Sequence, residues 1–229
     1  MIRRSLLTAL PTALLCTLLV PSARADDAGF VRWFADGSLA DFQVVSGSAT
    51  YEVKDGVLVG RTAEGSPNTF LATRKPVKNF ELQFEVNVDD QLNSGVQVRS
   101  HLATEGEQPE GAGGKLPAGR LYGPQCEIGG GGSGDFYDEA RKGTWWSELA
   151  DARAVRTPEA KQAFKAGQWN AYRIVVQGDH YRSWINGVPT ADFRQPNDPE
   201  GHIGFQVHGI KKGTGPYSVR WRNVRFRPL

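Results

Sequence analysis

Asn79-Phe80-Glu81-Leu82-Gln83-Phe84-Glu85-Val86-Asn87-Val88-Asp89 decides the fold class, because apolar and polar residues alternate strictly along it. Successive side chains leave a strand on opposite sides, so this stretch must bury Phe80, Leu82, Phe84, Val86 and Val88 on one face. Shorter runs of strand character flank it at Tyr51 to Val53, Val57 to Val59, Phe70 to Thr73, Val96 to Arg99 and Gln125 to Ile128. Others follow at Tyr172 to Val176, Tyr181 to Ile185, His202 to Val207 and Tyr217 to Phe226. The dipeptides Asp55-Gly56, Gly178-Asp179 and Asn186-Gly187 each separate two such runs, which is the chemistry of tight hairpins. Only Thr157 to Lys165 predicts a helix, with Thr157 as cap and Pro158 at the first position. One short helix among many short strands predicts an all-β protein, an antiparallel β-sandwich of two packed sheets.

Composition agrees. Of 229 residues, 39% are hydrophobic and 23% charged, which excludes a disordered chain; 27 glycines and 13 prolines argue against a helical bundle or a coiled coil. Residues 1–25 predict a signal peptide: Arg3 and Arg4 precede an apolar run from Leu6 to Val20, and Ala23-Arg24-Ala25 offers a cleavage site. Asp26 is then the expected first residue of one domain, 26–229, in the periplasm or secreted, with no membrane attachment after cleavage. Removing Arg3, Arg4 and Arg24 from 27 basic residues leaves 24 against 25 acidic ones, so charge gives no reason to expect nucleic acid as a partner. Cys126 remains as the sole cysteine. Its alternation with Gln125 and Glu127 predicts a buried free thiol rather than a nucleophile.

Three strands carry polar residues at i and i+2: Gln97 with Arg99, Gln125 with Glu127, and Gln206 with His208. Each pair is expected to share one strand face, pointing out of the core while Val96, Val98, Cys126, Ile128, Phe205 and Val207 point in. A merely solvated face is rich in Lys, Glu and Thr; Gln, Arg and His suit the directed hydrogen bonds of sugar hydroxyls. A ligand surface is therefore expected there, its side chains exposed enough for Gln125→Ala or Gln206→Ala to leave stability nearly unchanged. Tyr122, Tyr137, Trp145, Trp146 and Trp184 lie on or beside the loops that would rim it, where a ring can stack on a pyranose. Trp33, Trp169 and Trp221 are assigned to the core. The Gly129 to Gly132 run lacks the Lys-Ser/Thr of a phosphate loop and reads as flexible chain. The four histidines, at 101, 180, 202 and 208, show no metal-site spacing, and no Gly-x-Ser-x-Gly elbow is present.

Several motifs stand in order: Asn93-Ser94-Gly95-Val96-Gln97-Val98-Arg99, Leu121-Tyr122-Gly123-Pro124-Gln125-Cys126-Glu127-Ile128 and Tyr137-Asp138-Glu139. With Gly167-Gln168-Trp169-Asn170-Ala171-Tyr172, Trp184-Ile185-Asn186-Gly187, Gly204-Phe205-Gln206-Val207-His208-Gly209 and Trp221-Arg222-Asn223-Val224-Arg225-Phe226, from about Phe30 to Leu229, they resemble one family, the 3-keto-disaccharide hydrolase domain. Ala40-Asp41-Phe42 departs from the Gly-Trp ending usual in that family. The resemblance implies a concanavalin-like jelly roll and action on small oxidised sugars or glycosides. In the chemistry it implies, a C3 ketone acidifies the C2 proton, a base removes it, the enolate expels the C1 aglycone, and water adds. His208 is the expected base, Arg99 the holder of the enolate oxygen and Glu127 the proton donor or orienter of the imidazole, with the roles of His208 and Glu127 exchangeable. Gln97, Gln125, Gln206, Tyr137, Glu139, Trp146 and Trp184 are the expected substrate-binding residues. No cofactor is required by this scheme, although a divalent metal could replace Arg99. Two other classes compete: a glycosidase pairing Glu127 with Asp135, Asp138 or Glu139, and a sugar-binding module without catalysis.

Overall fold

The computed structural model describes residues 29–148 and 157–229, so the predicted signal peptide lies outside the described residues. The decisive stretch forms β6 (Phe80–Val88), with Phe80, Leu82, Phe84, Val86 and Val88 buried. β6 sits inside the first antiparallel sheet, whose order is β12 (Val188–Arg194), β11 (His180–Ile185), β10 (Asn170–Gln177), β6, β14 (Ser218–Pro228), β4 (Val57–Arg61) and β3 (Thr50–Lys54). β4 pairs with the first half of β14 and β1 (Val31–Arg32) with the second half. The second sheet runs β2 (Phe42–Val45), β5 (Thr69–Thr73), β13 (His202–Val207), β7 (Ser94–Leu102), β8 (Leu121–Ile128) and β9 (Phe136–Glu139). All these pairings are antiparallel, as the alternation and hairpin turns predict.

The turns form where positive φ is tolerated: Asp55 (51°) with Gly56 (74°), and Asn186 (50°) with Gly187 (83°). Two consecutive residues in this region match the right-handed twist of the flanking strands. The helix is shorter than predicted, α1 (Pro158–Lys161), with the Thr157 hydroxyl accepting from Ala160 N. Its continuation is captured by buried Asn170, whose amide donates to the Lys165 and Gln168 carbonyls while its oxygen accepts from Lys165 N. The Gly167-to-Asn170 motif is therefore a chain clasp.

One core lies between the sheets. Leu82, Phe84, Ile174 and Trp221 from the first sheet meet Val96, Val98, Cys126, Ile128 and Phe205 from the second, and the Phe205 and Trp221 rings stand 5.6 Å apart edge to face. Each such side chain contributes about 1.5–3 kcal/mol on burial. Cys126 is a fully buried free thiol, and burial raises its pKa well above the ordinary value. Phe42, from the Ala40-Asp41-Phe42 stretch, fills its corner against Phe34 (4.9 Å) and Trp33 (5.1 Å). Trp221 is in the core and Trp33 packs against its edge. Trp169 is instead only half buried and lies under the Arg222 guanidinium at 4.1 Å.

A second, smaller cluster has no counterpart in the sequence reading. Phe70, Ala72 and Leu121 are buried on the outer face of the second sheet, with Val45 and Leu102 against them. This covers part of the face on which the polar strand pairs sit.

Candidate functional site

Strand register brings five of the expected residues together. Gly95 opposes Glu127, Gln97 opposes Gln125, and Gln125 opposes Tyr137. On β13, Gly204 opposes Gln97, which places Gln206 level with Gly95. Gln206 Nε2 donates to Gln125 Oε1 (3.1 Å), Gln125 Nε2 donates to Glu127 Oε1 (2.6 Å), and Asn93 Nδ2 donates to Glu127 Oε2 (3.3 Å). The row closes on the Glu127 carboxyl.

This layer is not an exposed face, which corrects the expectation of near-neutral truncations. Gln97 and Gln206 are wholly buried, Gln125 and Glu127 nearly so. The oxygens Gln97 Oε1 and Gln206 Oε1 find no partner among the described residues. Two buried acceptors left open in one polar layer call for hydroxyl or water donors. Half-buried Asn68, Asn93, Tyr137 and His208 surround the layer.

Gly95 is what lets the row form. A Cβ there would stand 2.6 Å from Gln125 Cδ, so Gly95→Ala should displace Gln125 from Glu127. The expected result is a loss of about 1–3 kcal/mol in denaturant unfolding together with lower activity per folded molecule. Unchanged stability and activity would show that the Gln125–Glu127 bond has no role.

Glu127 is chemically unusual in this layer. Burial pushes its carboxyl up, the Gln125 and Asn93 amides pull it down, and the nearby Glu139 and Asp135 charges push it up again, to about 7. Glu139 shares the face but is ion-paired with Arg120 and also accepts from Asn68 Nδ2 (3.1 Å). Arg120 lies across the Phe70 ring, 5.6 Å from its centroid. His208 stands just past the end of β13, and its Nδ1 is 2.8 Å from the Gly209 carbonyl. A carbonyl can only accept, so Nδ1 carries a proton, and in the neutral imidazole Nε2 is the nitrogen with the free lone pair. The Gly209 amide in turn donates to Asn68 Oδ1 (2.8 Å), tying His208 to the Glu139 side of the site.

Arg99, Trp146 and Trp184 lie elsewhere. β7 shifts register between Gln97 and His101, with Arg99 at φ 49°, so the extra residue turns the arginine away from Gln97 and into the end of the sandwich. There its guanidinium donates to the carbonyls of Lys78 (2.5 Å), Gly178 (2.6 Å) and Asp198 (3.1 Å) and to Asn79 Oδ1 (2.9 Å), 5.5 Å above the Tyr181 ring. Trp146 is core, stacked on Phe136 at 5.3 Å. Trp184 belongs to β11 in the other sheet, beneath the Arg173 guanidinium. Of the proposed carboxylate partners, Asp138 turns inward to Arg141, which also clamps Asp198; Asp135 accepts from Phe136 N and Ser147 Oγ. Glu139 alone of the three is held beside an arginine on the Glu127 face.

Arg120, Asn68 and Asn93 were missed as site residues. Asn93 stood in the quoted Asn93-Ser94-Gly95 motif. Arg120 ends a long glycine- and proline-rich segment and has no periodic neighbours to betray its direction. Among the described residues no three His, Cys, Asp or Glu side chains gather as a metal-binding group.

The architecture recurs in solved structures. A proposed glycosyl hydrolase from Parabacteroides distasonis superposes with a TM-score of 0.56 at 20% identity, over 92% of this chain and 98% of that one. A Bacillus licheniformis β-glucanase gives 0.54 at 10% identity, covering 83% and 94%. A Bacillus subtilis carbohydrate-binding module gives 0.51 at 11%, covering 82% and 95%. At these identities the likeness is one of fold, a jelly-roll β-sandwich. No curated protein matches the chain. The profile of the 3-keto-alpha-glucoside-1,2-lyase-like domain matches residues 29–227, so the chain belongs to that carbohydrate-active family.

Proposed function

We propose that the protein is an enzyme cleaving 3-keto-glycosides by elimination and hydration. The observation that carries this is Glu127, a buried carboxyl bonded only to amides among the described side chains and held near pKa 7. Such a group is protonated at working pH often enough to deliver a proton and basic enough to recover it. His208 Nε2 takes the C2 proton, made acidic by the C3 ketone. The electron pair moves onto the ketone oxygen as an enolate, and Arg120, not Arg99, supplies the positive charge beside it. When the enolate collapses, the C1–O bond breaks and Glu127 protonates the departing aglycone oxygen. Water then adds to the unsaturated sugar, giving net hydrolysis. The open acceptors Gln97 Oε1 and Gln206 Oε1 receive sugar hydroxyls or that water.

The test is aglycone release from matched glycosides with and without the 3-keto group, alongside exchange of the C2 hydrogen with deuterated solvent. His208→Ala should lower both by about 100-fold or more. Near-normal rates in that variant would remove His208 from the mechanism. Equal wild-type cleavage of the unoxidised glycoside would favour a two-carboxylate glycosidase built on Glu127 and Glu139 instead.

A further inference from the structure

The outer face of the first sheet carries a groove of about 1000 Å³ on the opposite side of the sandwich from Glu127. That is the upper end of the ~300–1,000 Å³ typical of ligand pockets. Its floor is the outward row of β11, β10, β6 and β14. One rim is formed by Arg32 and the chain just after β1, the other by the Asp55-Gly56 turn. The groove exists because β4 and β1 pair with different halves of β14 and leave a gap at the bulge where Asn223 has φ 52°. The same bulge skips one residue of the alternation, so Arg220, Arg222, Arg225 and Arg227 all point outward onto β6.

Its chemistry is selective. Four arginines line it, Arg32, Arg173, Arg222 and Arg225, against two carboxylates, Asp55 and Glu85, an excess of two positive charges among the lining side chains, with Arg173 ion-paired to Glu81 just beyond the lining (2.7 Å). Glu85 is already engaged, accepting from Arg222 (2.8 and 2.6 Å) and Asn223 (2.6 Å). Arg32 is exposed. Trp184 adds an indole with the Arg173 guanidinium 4.5 Å from its centroid, and two amides complete the lining: Gln83, which donates to Glu81 and accepts from Arg225, and Asn223, whose nitrogen donates to Glu85. Guanidinium forks match carboxylates in pairs, the amides suit hydroxyls, and an indole suits the apolar face of a sugar ring. We propose that this groove is a second carbohydrate site, distinct from the Glu127 site, which binds an oligosaccharide carrying carboxylates.

Calorimetric titration with a tetrameric oligogalacturonide tests this, with maltotetraose and a short single-stranded oligonucleotide as comparisons. The acidic tetramer should bind and weaken with added salt. Arg32→Glu should reduce its affinity by about tenfold or more, Asp55→Asn should raise it by about twofold, and Glu127→Gln should leave it unchanged. That last arm separates failure here from failure of the catalytic reading. Maltotetraose or the oligonucleotide binding as tightly, or affinity indifferent to both Arg32→Glu and Asp55→Asn, would overturn the assignment.

Discussion

Replacing Glu127 with Gln should reduce release of a poor aglycone by about 10²–10⁴-fold, the range spanned by positioned acid–base groups. The substitution keeps the shape and leaves one oxygen to accept from Gln125 or Asn93, but it cannot donate a proton to the leaving oxygen. The loss should shrink sharply for an acidic aglycone such as 4-nitrophenol, while exchange of the C2 hydrogen continues because His208 is intact. In wild type, aglycone release should decline as pH rises through about 7, where Glu127 loses its proton, and the variant should lack that decline. Stability follows the same group. Its folded value of about 7 lies above the ordinary 4.5, so the folded chain holds a proton that the unfolded chain releases between these values. Its contribution is therefore full below pH 4.5 and is lost as pH rises to about 7, by up to about 3 kcal/mol. Glu127→Gln should flatten that part of the stability–pH curve. Equal loss on good and poor aglycones, with the pH profile unchanged, would count against Glu127 as the proton donor.

The second large effect is on stability. Arg99→Met should cost about 3–5 kcal/mol in denaturant unfolding, because the carbonyls of Lys78, Gly178 and Asp198 and the Asn79 side chain lose a buried charged donor together. Activity per folded molecule should be retained, since Arg99 does not reach the Glu127 row. Arg120→Met should show the opposite balance, with a smaller loss of stability and a large loss of turnover. An Arg99→Met protein that unfolds normally but has lost turnover would return Arg99 to the enolate.

The two arginines show where local pattern stops carrying information. Gln97 and Arg99 stand two residues apart, and an undistorted strand would put them on one face. The bulge that separates them arises from pairing with both β8 and β13, each of which shifts register beside it. No residue within β7 announces this. Trp146 and Trp184 fail for a related reason: a loop aromatic can fold inward or outward, and two strands with similar alternation can join different sheets. Both choices depend on partners distant in the chain.

By itself the sequence determined the all-β class, the hairpins at Asp55-Gly56 and Asn186-Gly187, the buried alternation of β6 and the buried thiol of Cys126. It also put Gln97, Gln125, Glu127 and Gln206 on one face. Each follows from constraints acting within a few residues: the two-residue period of a strand and the positive φ that Asn, Asp and Gly accept in a turn. Tertiary structure alone decided that these four side chains are buried, that Arg120 rather than Arg99 accompanies them, and that Glu127 is held near neutrality. Those outcomes depend on which distant segments exclude water from a group and which donors they bring to it. Burial and charge of that kind are properties of the assembled neighbourhood.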